Sequence, residues 1–184
     1  GERERQSLEP LFANPVPRWK ILAGKLAAIC TFSCISLLIT LAAFAVLGPF
    51  VPVDKLGMEL NLGAHFAGTV FLLMLPLVML IAALQTLVAA FAKSYREAQM
   101  YVSLLMFVPI VPSLLMAVFP IKAKAWMYAV PLLGQHLGVM GALRGDGVSL
   151  QQVLYCLGGT LAAAVVATLI TAHLYRSERL AISG

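Results

Sequence analysis

The chain has 184 residues, of which 61% are hydrophobic and only 11% are charged. Soluble domains carry about a quarter charged residues, and the hydrophobic residues here form runs of roughly 20. This composition excludes a soluble globular fold and indicates an all-α integral membrane protein. The net charge is +5, but the chain contains no run of four basic residues, so nucleic acid is not an expected partner.

The first polar segment, GERERQSLEPLFANPVPRWK, is predicted to form a short helix ahead of the first apolar run. The helix can begin at Leu8, and Glu9 then lies in its first turn, where the helix dipole favours an acid. Leu8, Leu11 and Phe12 share one face of such a helix. A loop that only connects two spans does not need an apolar face of this kind. We therefore interpret residues 1–25 as a cytoplasmic segment that docks a partner, the alternative being a solvated juxtamembrane loop.

Two apolar runs follow, and each is long enough to cross a bilayer. The first covers residues 26–47 and reaches roughly 33 Å as a helix. It is followed by Gly48 and Pro49, which favour its termination. The second run covers residues 66–92 and carries Pro76 in its middle, where we expect a kink.

The second half of the chain is predicted to contain two more spans separated by an ambiguous segment. Residues 100–119 form the third span, and Pro109 and Pro112 near its centre are expected to break the helix. Residues 125–143 are long enough to cross, but they include a proline, a glutamine and a histidine. Residues 153–174 form the last span, which is rich in the small residues that tight helix contacts use.

The distribution of lysine and arginine favours a cytoplasmic N-terminus. If residues 125–143 do not cross the membrane, nine of the thirteen basic residues are cytoplasmic; if they cross, the number is eight. The nine are Arg3, Arg5, Arg18, Lys20, Lys25, Lys93, Arg96, Arg176 and Arg179. The difference is small, and it favours four spans and one re-entrant or interfacial segment.

The polar groups inside the apolar runs are hydroxyls and amides rather than acids. Their predicted role is hydrogen bonding between helices, and the alternative is the lining of a transport path. The deep polar residues are Ser33, Ser36, Thr40, Gln85, Thr86, Ser103, Ser113, Thr160 and Thr168. The candidates for path lining are Ser36, Thr40, Gln85 and Ser103.

Other sites of chemistry are not indicated. Cys30 and Cys34 share a helix face, but no histidine at ligand spacing accompanies them, so no metal site is predicted. The chain has no G-x-x-x-x-G-K-[ST] motif and is not expected to bind a nucleotide through one. Glycines 134, 138, 141 and 145 would form a close-packing stripe on a helix, unless they are loop glycines. His136, on another face, is predicted to be an interfacial hydrogen-bond donor.

Three stretches in order along the chain carry a family resemblance. They are GERERQSLEPLFANPV, KSYREAQMYVSLLMFVPIVPSLL and VPLLGQHLGVMGALRGDGVS. They resemble, respectively, the coupling segment, the fifth span with the loop before it, and the re-entrant stretch of type-2 ABC exporter permeases of the NatB-type, sodium-exporting branch. The resemblance covers essentially the whole chain.

This resemblance implies a piece of a longer six-span permease in the cytoplasmic membrane, with the first two spans outside the chain. It implies that residues 125–143 are re-entrant and that two permease subunits, expected to be identical, pair within the lipid. Each would dock a cytoplasmic ATPase that uses ATP and Mg²⁺, and the permease itself would hold no cofactor. The implied contact residues are Glu2, Arg3, Glu4, Arg5, Leu8, Glu9, Leu11 and Phe12.

Several alternatives remain open at the level of sequence. Sodium is the substrate that the branch implies, whereas the absence of carboxylates from the spans leaves a drug, a peptide or a lipid as an alternative. An intramembrane enzyme would need a deep acid, or a histidine or cysteine dyad. A non-transporting anchor or assembly protein would need neither a broken span nor a coupling helix.

Overall fold

The computed structural model describes residues 18–50, 63–92, 94–119 and 123–176, and every regular element within these ranges is helical. In chain order the α-helices are α1 (Arg18–Leu47), α2 (Ala64–Phe91), α3 (Tyr95–Leu105), α4 (Ile110–Val118), α5 (Leu133–Arg144) and α6 (Leu150–Arg176). Short 3-10 helices lie at Gly48–Phe50 and Ala125–Ala129.

Four stretches in the described part of the chain are long and apolar enough to cross a membrane. They are Trp19–Leu47, Ala64–Phe91, Tyr95–Met116 and Leu150–Leu174. The predicted all-α membrane fold is therefore confirmed. Helix α1 begins at Arg18, earlier than the apolar run at residue 26, because lysine and arginine are good helix formers and can extend their charged ends toward water.

Helices α2 and α6 form the centre of the bundle. Leu80 and Ala83 of α2 pack against Ala164 and Ala167 of α6, and Leu26 of α1 packs against the same cluster. Alanine leaves room for two helix backbones to approach closely, which is how helices associate within lipid. We call the end of the bundle that holds this cluster the head end, because the N-terminal segment leads into it.

A second apolar cluster lies at the opposite end, which we call the far end. Leu41 of α1 packs there with Phe66 and Val70 of α2 and with Ala142 of α5. Leu41 is near the end of α1 and Phe66 near the start of α2, so these two helices are antiparallel. By the predicted orientation, the head end is cytoplasmic.

The third span is broken, as its two central prolines predicted. Helix α3 ends at Leu105 and α4 begins at Ile110. Between them, the N–H groups of Phe107, Val108 and Ile110 donate to carbonyl oxygens three residues back at 3.1 to 3.2 Å, which is 3-10 geometry. Pro109 has no N–H, so it cannot make the helical bond to the residue four back. None of the described side chains in α3 and α4 is buried.

Candidate functional site

The predicted ATPase contact lies outside the described residues. It comprises Glu2, Arg3, Glu4, Arg5, Leu8, Glu9, Leu11 and Phe12, and it stays a prediction. At the start of α1, Lys20 Nζ lies 5.7 Å from the centroid of the Trp19 ring. Aromatic residues are enriched at the membrane–water interface, so this pair is suited to the head-end surface of the bilayer.

The four predicted path-lining residues are spread over three helices. Ser36 and Thr40 are exposed on α1, Ser103 is exposed on α3, and Gln85 is half-buried on α2. The hydroxyls of Thr40 and Ser103 donate to the carbonyl oxygens of Ser36 and Gln99, each at 2.8 Å. These bonds lie within single helices, and path lining stays a prediction for all four residues.

Residues 125–144, which we call the re-entrant segment, pack against both central helices. Its 3-10 helix lies against α6, where a Cβ added at Gly159 would overlap the carbonyl oxygen of Ala129. Its helix α5 lies against α2, where a Cβ added at Gly138 would come within 2.6 Å of Leu73 Cδ1. Backbone and side chains therefore meet without room for another methyl group.

These contacts give the depth of the segment along the two central helices. Gly159 and Leu73 each lie about 14 Å along their helices from the far end. Ala142, near the end of α5, lies in the far-end cluster. Helix α5 is about 18 Å long, too short to cross a bilayer of about 30 Å. This geometry supports a segment that lies against the bundle without crossing the bilayer by itself, and the re-entrant arrangement that the resemblance implied stays a prediction.

Gln135 joins the re-entrant segment to α6 near its deepest point. Its side chain is 1% exposed and that of Thr160 is fully buried. Gln135 Nε2 donates to Thr160 Oγ1 at 2.6 Å, and Gln135 Oε1 accepts from the N–H of Leu132 at 2.7 Å. Leaving one of these buried groups without a partner would cost about 1–3 kcal/mol.

The turn before α5 has an unusual backbone. Leu132 has φ 69° and ψ −48°, and it is the non-glycine residue with positive φ in the described part of the chain. These angles are close to those of a rare form of γ-turn, and such strain costs about 1–3 kcal/mol. Because Gln135 accepts from the Leu132 N–H, the side chain that docks the segment on α6 also holds its strained turn.

Six of the eight deep hydroxyls fall into two groups by their hydrogen bonds. Four of them donate to the carbonyl four residues back on their own helix: Thr40, Thr86, Ser103 and Thr168. For these four the prediction of bonds between helices is wrong, because that carbonyl is always within reach of a helical hydroxyl. The prediction is confirmed for Thr160 and Ser113, and both of them contact the re-entrant segment.

The glycine stripe serves two purposes. A Cβ added at Gly134 would overlap the carbonyl oxygen of Tyr128, so Gly134, like Gly138, permits close packing. Gly145 instead ends α5 with φ 77°, a left-handed conformation that favours glycine. The packing interpretation therefore applies to the start of α5 and the loop interpretation to its end.

His136 links the re-entrant segment to the broken span. Its Nδ1 lies 3.2 Å from Ser113 Oγ of α4. Ser113 is exposed and His136 is half-buried. This is the interfacial hydrogen bond expected for His136, although the donor depends on the tautomer of the imidazole ring.

An apolar cleft lies on the head-end side of the break. It has a volume of about 410 Å³ and is open to the surroundings, and it is lined by Val88, Phe91, Tyr101, Leu104, Leu105 and Val108. One turn before Tyr101, toward the head end, Glu97 provides a polar group. Tyr101 Oη donates to Glu97 Oε1 at 2.7 Å. The cleft combines an apolar wall with a polar end, as an amphiphile would require.

Comparison with known proteins places the chain among transporters. The family model described as "ABC-2 family transporter protein" matches residues 1–169. The chain is 31% identical over 140 residues to the "ABC transporter permease protein NatB" of Bacillus subtilis (strain 168), in an alignment that covers 74% of this chain. The same alignment covers 36% of the relative, so the chain spans about a third of that protein's length. No solved structure matches the chain.

Proposed function

The chain belongs to the ABC-2 family of transporter proteins, and on that premise we propose that it forms the permease part of an ATP-driven exporter of sodium. It is a multi-pass protein of the cell membrane. The observation that carries the proposal is the extent of the family match, which includes the polar N-terminal segment, the first three spans and most of the fourth.

In this proposal, the N-terminal segment docks a separate cytoplasmic ATPase subunit. That subunit binds ATP and Mg²⁺, while this chain holds no cofactor. The charged residues Glu2 to Arg5 fix the register of the contact, and the Leu8, Leu11 and Phe12 face enters a cleft of the ATPase. A second, identical permease subunit pairs with this one within the lipid.

The geometry of α1 supports a mechanical role in this proposal. The helix runs without interruption from Arg18 to Leu47. Near its end, Leu41 packs in the far-end cluster with Ala142 of the re-entrant segment. Closure of the ATPase pair would push the N-terminal segment, and α1 would carry that displacement to the far end of the bundle.

Sodium is proposed on the family resemblance, and the spans offer hydroxyl, amide and carbonyl oxygens as its ligands. A second substrate class, a membrane-soluble amphiphile, is favoured by the apolar cleft between α2 and α3. The Glu97–Tyr101 pair would face the polar group of such a substrate at the head end.

The test uses the full-length permease and its ATPase in lipid vesicles. We expect ATP to drive sodium movement, and a Glu4→Lys, Glu9→Lys double variant to lower its rate about tenfold or more, because the charges would no longer match the ATPase. The ATPase should also fail to co-purify with that variant. Asp146→Lys is the matched control, because Asp146 is exposed at the far end.

Two results would contradict the proposal. Sodium export at the wild-type rate in the double variant would remove the coupling role from the N-terminal segment. ATP-driven movement of a fluorescent amphiphile but not of sodium would replace sodium by the second substrate class.

A further inference from the structure

The re-entrant segment has two contacts of unequal strength with the spans around it. On one side, Gln135 and the 3-10 helix form a buried contact with Thr160 and Gly159 of α6, which we call the inner seam. On the other side, His136 meets Ser113 of α4 in a contact that we call the outer seam. The inner seam includes two fully or almost fully buried polar groups, whereas Ser113 is exposed.

The inner seam depends on a specific pairing rather than on apolar contact alone. Thr86, Thr168 and Thr171 donate to carbonyls on their own helices, whereas Thr160 accepts from the amide of Gln135. In an apolar interior, no other partner can replace that acceptor. Separation of the inner seam would therefore leave the Gln135 amide N–H group without its acceptor.

The outer seam adjoins a helix that packs only lightly against the described part of the chain. No described side chain of α4 is buried, and the 3-10 turns between Leu105 and Ile110 separate α4 from α3. A stretch of 3-10 helix within a longer helix often marks a hinge. Displacement of α4 would break the His136–Ser113 contact without exposing a core residue.

From this asymmetry we infer that Gln135 is a positioning residue that makes the re-entrant segment and α6 one body, and that the outer seam against α4 is the one that opens during transport. The opening step rests on the proposed function, whereas the clamp by Gln135 does not. Gln135 acts through Thr160 and the Leu132 turn, and its role is to hold the segment in place.

Cys156 provides a reporter of the inner seam. It is a free thiol, fully buried, and lies one turn before Thr160 on α6. In the full-length permease with every cysteine except Cys156 replaced by alanine, the rate at which N-ethylmaleimide labels Cys156 in lipid vesicles would measure the opening of this seam.

Thr160→Val and Gln135→Leu should each raise that labelling rate about tenfold or more, since they remove the buried pairing while keeping most of the side-chain volume. Thr160→Ser keeps the hydroxyl and should restore slow labelling. Thr171→Val is the matched control, because Thr171 is equally buried and bonds to its own helix. Ser113→Ala should also leave Cys156 labelling unchanged. The clamp is refuted if Thr160→Val labels no faster than Thr171→Val, or if Ser113→Ala exposes Cys156 equally.

The opening step has its own measurement. A single cysteine introduced by His136→Cys, with every native cysteine replaced by alanine, should label faster while the ATPase turns over. Cys156, measured in the variant that keeps it as the single cysteine, should not. Faster labelling of Cys156 during turnover would show that the inner seam opens instead, and would overturn the inference. A permease that exports neither sodium nor an amphiphile would end the proposed function and the opening step with it. The comparison of Thr160→Val with Thr171→Val would still decide the clamp, because it needs neither ATP nor substrate.

Discussion

The central pair of helices and the broken third span are both apolar, yet they are held in different ways. Helices α2 and α6 bury Leu73, Ala83, Cys156 and Thr160 almost completely. Helices α3 and α4 bury none of their described side chains. Lipid solvates an exposed leucine as well as a protein interior does, so apolarity alone does not draw the third span onto the core.

This difference indicates that close packing and polar pairing hold the bundle together. The contacts around α6 combine alanine and glycine, which allow close approach, with one buried hydrogen-bonded amide. In the described part of the chain, the third span has a hinge and an exposed polar contact with the re-entrant segment. Substitutions in the two regions should therefore have very different effects on stability, and the following predictions test that contrast.

The largest expected contrast is between two leucines. Leu73→Ala should lower the free energy of unfolding by about 3 kcal/mol, because Leu73 is fully buried against Gly138 and its loss leaves a cavity. Leu115→Ala, on exposed α4, should change it by less than about 0.5 kcal/mol. Unfolding in denaturant with the protein in lipid bicelles would measure both, and equal losses would contradict the contrast.

Two adjacent glycines of α6 give the next largest difference. Gly159→Ala should destabilise the fold by about 2 kcal/mol, because the added methyl group would overlap the backbone of Ala129. Gly158 has open space around its added Cβ, so Gly158→Ala should be neutral or stabilise the helix by up to about 1 kcal/mol. The same unfolding measurement applies, and a stable Gly159→Ala variant would argue against close packing at the inner seam.

The same substitution, serine to alanine at a helix N-cap, can be made in each of the two regions. Ser149 Oγ accepts from the N–H of Gln152 at 3.3 Å and Gln152 Oε1 accepts from the N–H of Ser149 at 2.9 Å, so the two residues cap α6 reciprocally. Ser149→Ala should lower global stability by about 1 kcal/mol. Ser94 Oγ accepts from Glu97 N–H at the start of α3, and Ser94→Ala should only speed local amide exchange there. Hydrogen exchange would separate the two responses.

The smallest expected change in stability comes from the hinge. A Pro109→Ala, Pro112→Ala double variant restores two N–H donors and allows an α-helix through residues 106–111. Global stability should change by less than about 0.5 kcal/mol, whereas amide exchange in these residues should slow about tenfold. Exchange in α6 from the same sample is the internal control. Unchanged exchange at residues 106–111 would show that the prolines do not cause the break.

Some features of the site could be predicted from individual residues of the sequence, and others could not. The prolines at 109 and 112 predicted the break because a missing N–H acts locally. The SLQQ sequence at Ser149 was a readable cap signal that the sequence analysis missed. By contrast, the positive φ of Leu132 has no local signal, and Gln135 stood out only as a polar residue in an ambiguous stretch.

The length and composition of single segments were enough to predict that the chain is helical, lies in a membrane and has four segments long and apolar enough to cross it. The folded structure was needed to show which hydroxyls join helices, which glycines pack closely and where the turn before α5 lies. These depend on pairs such as Gln135 and Thr160, which are distant in the chain and adjacent in space. Within one helix a threonine can always bond to its own backbone, and only a neighbour that requires a hydrogen-bond acceptor at that depth gives it another role.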